Sequence, residues 1–423
     1  MSISKILKLS KSSWYSCKYE MNLEIILGDG EVIKLQNSQI VGMYLEKDYD
    51  NDHLPILMID LAIGRLVRNK IDDDTVFHLK VTQFYLENND TDSEKKERKV
   101  FIDEKFTRID FGTPPDTNED LERKVRESNG MSDYEVAPHD LTSQETFVLV
   151  KKRDLSFTKK LVNGVLANVT MEEAVRWSLV NAKCQNNILM SNFTNTERHN
   201  ELLLPTKPLL EQLIYMEQEY GWHTEGTYIF VDFDTFYIIR KNGKSTAWKK
   251  NEPTSVSFCI VGSLSKDSGS EGIIRQNSNI YVNVGSEQYK LVDASIVGDQ
   301  IDGTNLILFN TSNGTYTKLE TGTNSIDGGA YTSKMYHGHN PYVTKQFNRM
   351  KHENDHIWEL SCKNIDISQF TPNKQYTFLS DVTKINKTLS GFYRISSIKT
   401  SFVKNGDYFD TTSTVRVKRS QKA

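Results

Sequence analysis

Residues 76–86, VFHLKVTQFYL, roughly alternate apolar and polar side chains, and that two-residue period constrains the chain more than any other feature. Only an extended backbone turns successive side chains to opposite faces, so the run predicts a strand with one wet face. It has company. Leu23-Glu-Ile-Ile-Leu27 and Val32-Ile-Lys-Leu35 flank Gly28-Asp29-Gly30, a close-turn signal between two β-rich runs. Residues 38–45 and 56–63 supply further runs of the same kind. Several short strands with turns at this spacing predict a small barrel or sandwich over residues 1–111.

Two polar stretches interrupt the pattern. Residues 87–99, ENNDTDSEKKERK, are predicted as a charged loop of that first domain. Residues 112–145, with Pro114-Pro115 and Asn129-Gly130, are predicted as a polar linker. Neither has enough apolar surface to offset the entropy of ordering it. A central α/β domain is predicted over 146–250. Thr170-Met-Glu-Glu173 is a capping-box signature, followed by Met171, Val175 and Leu179 at a four-residue step. A second helix is expected from near Thr206, with Pro208 in its first turn. Its stripe is Leu209, Leu210, Leu213, Ile214 and Met216, and Gly221 sits where a C-cap belongs. The hairpin of 227–233 and 236–240 gives these helices a sheet to pack on. Strands near 257–261, 280–284, 289–292 and 306–309 make 251–340 a β-rich domain, in which 317–331 reads as loop. A helix over 341–352 and strands at 357–360, 376–379, 391–402 and 411–417 fill a last β domain, 341–423. The fold class is therefore mainly β (α+β): several small antiparallel barrels or sandwiches with a central two-helix α/β insert.

Charge excludes one class of partner. Lys and Arg number 52 against 56 Asp and Glu, a net charge of −4 with both signs interspersed. No basic stripe exists to neutralise phosphates, so no specific nucleic-acid binding is expected. The basic end, VRVKRSQK, reads as a solvated tail. Cys17, Cys184, Cys259 and Cys362 lie far apart with no CxxC pair, which predicts free thiols and neither a disulfide framework nor a zinc site. The early lysines lack the apolar segment of a secretory signal. The longest apolar stretch, 54–63, contains Pro55 and Asp60 and falls short of the roughly 18 residues a membrane span needs. No membrane insertion is expected.

Three strings could carry chemistry. His352-Glu353-Asn354-Asp355-His356 is a literal H-E-x-x-H, which on a helix puts two zinc-binding imidazoles on one face beside a general base. Its context opposes that role. Asn354 and Asp355 place polar groups where a packed face is needed, and strand-like residues follow at 357. A third ligand is unassigned, although His337 and His339 are available. His337-Gly-His339 beside Asn340-Pro341 reads as a polar turn. Asp232 and Asp234, at i and i+2, could pair two carboxylates, but at a hairpin tip Asp serves turn hydrogen bonds. No phosphate-binding, dinucleotide or serine-hydrolase motif is present. The sequence thus assigns no catalytic, cofactor-binding or metal-ligating residue, and no cofactor.

One stretch resembles a known family. Residues 202–222, LLLPTKPLLEQLIYMEQEYGW, run a Leu-Pro step into an apolar helix closing on Tyr-Gly, and the hairpin TYIFVDFDTFYIIRK of 227–241 follows. This is similar to the central region of baseplate hub and tail-tip hub proteins of long-tailed bacteriophages and related contractile injection systems. Residues 40–45 and 54–59 resemble the opening barrel strands of such hubs; 370–374, 390–395 and 414–419 resemble their late strands. The resemblance implies a non-enzymatic homotrimer with two tube-like barrels per subunit, centred here on 1–111 and 341–423. It implies partners in the tail tube or distal tail protein, the tip spike or tail lysozyme, and other baseplate proteins. DNA would pass through the lumen unbound, and the protein would be assembled in the host cytoplasm into the virion tail. Two other readings are a zinc-dependent cell-wall hydrolase using His352, Glu353 and His356, and a glycan-binding adhesin using its aromatics.

Overall fold

The structure, a computed structural model, describes residues 15–50, 54–87, 96–109, 142–223, 226–232, 235–240, 255–261, 272–276, 279–285, 289–292, 306–310, 315–319, 357–372, 374–380 and 391–420. Seven strands come first: β1 (Tyr15–Ile26), β2 (Val32–Leu35), β3 (Ile40–Asp48), β4 (Ile56–Gly64), β5 (Val76–Glu87), β6 (Lys96–Arg108) and β7 (Thr142–Lys151). The alternation that predicts β5 is realised in its pairing. Val76 to Glu87 run antiparallel to β1 without a register break, and Phe77, Leu79 and Val81 point inward. Gly30, with φ of +87°, takes the left-handed turn between β1 and β2 that a side chain would resist.

A helical insert follows: α1 (Leu155–Lys159), β8 (Leu161–Thr170), α2 (Met171–Asn181), β9 (Asn187–Met190), β10 (Arg198–Pro208), α3 (Leu209–Tyr220), β11 (Thr227–Asp232) and β12 (Thr235–Arg240). The remaining strands are β13 (Ser255–Val261), β14 (Ile273–Gln276), β15 (Asn279–Gly285), β16 (Tyr289–Val292), β17 (Leu306–Asn310), β18 (Thr315–Leu319), β19 (Ile357–Lys363), β20 (Gln375–Ser380), β21 (Phe392–Asn405) and β22 (Tyr408–Ser420). The chain is mainly β with a central helical insert, as its sequence predicts.

The strand pairings close on themselves twice. One circuit runs β3-β4-β7-β6-β5-β1-β22-β21 and back to β3. A second runs β21-β20-β13-β15-β14-β1-β22 and back to β21. Both use the long β21–β22 hairpin, and strands from the two ends of the chain thus share one sheet. A closed circuit removes the exposed edge that invites unwanted pairing. The cores of both circuits merge into one cluster that includes Tyr19, Ile59, Phe77, Phe258, Tyr376 and Val415.

The insert has its own core. Met171, Val175 and Leu179 of α2 meet Leu209, Leu213 and Met216 of α3, with Trp222, Leu202 and Leu204 between and beside them. The capping box at α2 forms in full: the Thr170 N–H donates to Glu173 Oε2 at 2.8 Å and the Glu173 N–H donates to Thr170 Oγ1 at 3.3 Å. Gly221 closes α3 with φ of +66°. β11 is buried on both faces. Tyr228 and Phe230 enter the main core, while Ile229 and Val231 enter the insert's.

Several expectations shift. Residues 96–99 are not loop but the start of β6, where Lys99 pairs with Gln83. Arg98 and Lys99 are exposed there, and sequence alone does not separate exposed charged strand residues from a solvated loop. α3 starts at Leu209, not near Thr206. Residues 198–208 form β10, hydrogen-bonded to β8, because Leu202 and Leu204 point inward while Leu203 points out. The unbroken Leu run hides this alternation. Residues 317–319, predicted as loop, lie in β18. β7 crosses residue 146 and pairs with both β4 and β6. The helix predicted over 341–352 lies outside the described residues. Among the described residues no helix is long and apolar enough to cross a membrane.

Candidate functional site

The most concentrated chemistry lies where the insert meets the first circuit. On β3 the inward positions read Met43, Leu45, Lys47, with Tyr49 next, so alternation carries a lysine into the barrel's end. β11 crosses this end. Lys47 Nζ donates to Asp232 Oδ1 at 2.5 Å. The Tyr49 and Phe230 rings meet edge-on, 4.9 Å between centroids. Arg394 Nη1 donates to Asp50 Oδ1 at 2.6 Å and to the Tyr228 hydroxyl at 2.9 Å. Asp50 also receives Lys418 Nζ at 2.7 Å and the Ser396 hydroxyl. One strand of the insert is therefore bound at three successive points.

A second charged layer adjoins this one. β7 ends on Lys151, also pointing inward, and the next turn carries Arg153 and Asp154 toward the insert. Arg153 pairs with Glu104 of β6, and Asn186 Nδ2 donates to Asp154 Oδ1 at 2.7 Å. Burial pushes the Lys151 ammonium down to about 8, against the pull of Asp154, Glu104 and Asp232. Burial raises the Asp154 carboxyl for the same reason. Beneath Lys47 and Lys151 lies a small pocket walled by Leu45, Pro55, Leu57, Ile102 and Phe106. This arrangement holds two parts of a protein together.

Of the residues singled out in the sequence, Asp232 takes part in this joint. His337, His339, His352, Glu353, His356 and Asp234 lie outside the described residues. Asp232 is described: it ends β11 opposite Thr235, and its side chain is buried against Lys47. Cys17, Cys259 and Cys362 are buried free thiols and Cys184 is half-buried. Burial pushes Cys259 up to about 12 and Cys362 further still. Such thiols are packing groups, not nucleophiles. Among the described residues no three His, Cys, Asp or Glu side chains cluster to hold a metal.

The structure brings together one pair that sequence spacing does not reveal. Ser191 Oγ lies 3.1 Å from His223 Nε2. It also accepts from the Arg240 N–H at 3.1 Å, and His223 is wholly buried against Phe193. Ser191 thereby joins the end of β9 to the segment after α3 and to β12. One surface stands out instead. On the outer face of the β8–β10 ribbon Leu161, Val165 and Leu203 are 64–66% exposed, and Val165 sits directly opposite Leu203.

The model of the Bacteriophage PBS1 gene 109 protein family matches residues 1–421. The chain belongs to this family. No curated protein matches it. A tail protein from Neisseria meningitidis MC58 has a similar structure, with TM-score 0.50, 8% identity, and coverage of 95% of this chain and 97% of that one. The prophage MuSo2 43 kDa tail protein from Shewanella oneidensis superposes with TM-score 0.48 at 10% identity, covering 93% and 97% of the two chains. At such identity the likeness is one of fold. The family member thus has a fold found in a tail protein, in agreement with the resemblance carried by residues 202–222 and 227–241.

Proposed function

We propose that this chain is a structural, non-enzymatic component of a phage tail, the baseplate hub that joins tail tube to tip. The observation that carries the reading is the pair of strand circuits sharing β21 and β22. Two ring-like units in one chain supply two of six positions, so three copies match a six-fold tube. The two tube-like units would be centred on the strands of 1–111 and of 341–423, the second completed by β13, β14 and β15 of 251–340, with 112–145 leading through β7 into the central domain of 146–250. The homotrimer would dock on the tail tube or distal tail protein at one side and on the tip spike, tail lysozyme and other baseplate proteins at the other. A net charge of −4 without a basic stripe suits a lumen that lets DNA pass without gripping it. The protein would reside in the virion tail after assembly in the host cytoplasm.

Light scattering on the purified chain, repeated with tail tubes and with zinc measured on the same sample, tests this. A mass near three chains, tube binding and no zinc are expected. A zinc-loaded monomer that ignores tubes would overturn the hub and return attention to His352, Glu353 and His356.

A further inference from the structure

We propose that the helical insert folds on its own and that both rings close afterwards, when the β21–β22 hairpin docks. The chain then passes through a form with a folded insert and open rings. The two cores differ in how far apart in sequence their parts lie. The insert's core is drawn from residues 157–238, with the partly buried Leu54 packed against it from outside. Its ties are short: Asn163 and Thr206 are 43 residues apart, and Ser191 and Arg240 are 49 apart. Its helices carry their own end signals, the Thr170 capping box and the left-handed Gly221. Local contacts of this kind form first.

The rings have no such local route. Without β21 and β22 the first circuit is an open sheet in the order β3-β4-β7-β6-β5-β1. Its two ends are met only by the last described strands. Gly42 to Asp48 of β3 pair with Val403 to Ser397 of β21, and Tyr19 of β1 pairs with Phe409 of β22. The second circuit runs through the same two strands, so it is open without them as well. Lys18 and Asp410, which bond across this seam, are 392 residues apart. In an open chain such a closure is roughly twentyfold less probable than one over the 49 residues from Ser191 to Arg240. The hairpin also supplies Ile395, Ile398, Phe402, Phe409, Val415 and Val417 to the main core, which is incomplete until it docks. The insert offers it a landing point, since β11 turns Tyr228 toward that core and Arg394 of β21 donates to the Tyr228 hydroxyl. A chain whose hairpin is not yet placed has neither ring to offer a partner.

Native-state hydrogen exchange of the full chain in sub-denaturing urea reads this form. Amides of the β3–β21 and β19–β22 ladders are expected to exchange through an opening that leaves α2 and α3 about tenfold better protected. Phe402→Asp/Val415→Asp puts two charges on the buried face of the hairpin and should trap the form. In that variant the amides of β3 and β21 lose protection while those of α2 and α3 keep theirs. Helix amides that exchange as fast as β3 in the wild type, or that lose protection with it in the variant, would overturn the proposal. So would β3 amides that stay protected in the variant, because closure would then not depend on the hairpin's buried face.

Discussion

Lys47 and Asp232 stand 185 residues apart in sequence and 2.5 Å apart in space, with side-chain exposures of 3% and 6%. The contact fixes where β11 crosses the end of β3. Taking either charge away leaves the other desolvated and without this ion pair.

Lys47→Met is therefore expected to lower stability by about 3–5 kcal/mol in urea unfolding at pH 7, while Lys47→Met/Asp232→Leu recovers most of that loss. A double variant no more stable than the single one would show that the two side chains do not act as a pair.

The capping box makes a smaller and more local prediction. Thr170→Ala should cost about 1 kcal/mol by freeing the Glu173 N–H at the start of α2. Thermal unfolding followed by far-ultraviolet circular dichroism measures it. A loss above about 3 kcal/mol would mean that Thr170 supports more than the helix end.

Gly272 closes the second circuit. Its φ is +101°, and a Cβ there would lie 2.0 Å from the Tyr15 carbonyl oxygen. Gly272→Ala should destabilise by on the order of 3 kcal/mol, with β14 amides losing exchange protection first. Protection unchanged at β14 would remove the glycine from the closure.

The thiols should rank by burial. At pH 8 a disulfide reagent is expected to label Cys184 first and to reach Cys259 and Cys362 only after denaturation. Acids raised in the folded state give stability that is full below their unfolded pKa, about 8.5 for a thiol, and that fades as pH climbs beyond it. Replacing Cys259 and Cys362 with Ala should therefore flatten the alkaline loss of stability. An unchanged slope above pH 9 would contradict that origin.

Period was what made the fold readable. Residues 76–86, the Gly28–Gly30 turn and the Thr170 box each state their structure locally, and each forms as stated. Residues 198–208 did not, because Leu202, Leu203 and Leu204 are alike in sequence and only tertiary packing decides that the middle one faces out. The buried charges were less visible still. Lys47 looks like any lysine on a strand; its inward direction follows from Met43 and Leu45, but its partner on β11 does not. Asp232 carried a signal that pointed to a turn, since a hairpin tip favours Asp whether or not the side chain is taken elsewhere.

The β21–β22 hairpin pairs along nearly its whole length, from Phe392 opposite Ser420 to Asn405 opposite Tyr408. Tension along either strand must shear many backbone hydrogen bonds at once instead of peeling them singly. Because this wall belongs to both rings, strain entering one is passed to the other through continuous main chain. The hairpin is the spar on which the molecule's stiffness depends.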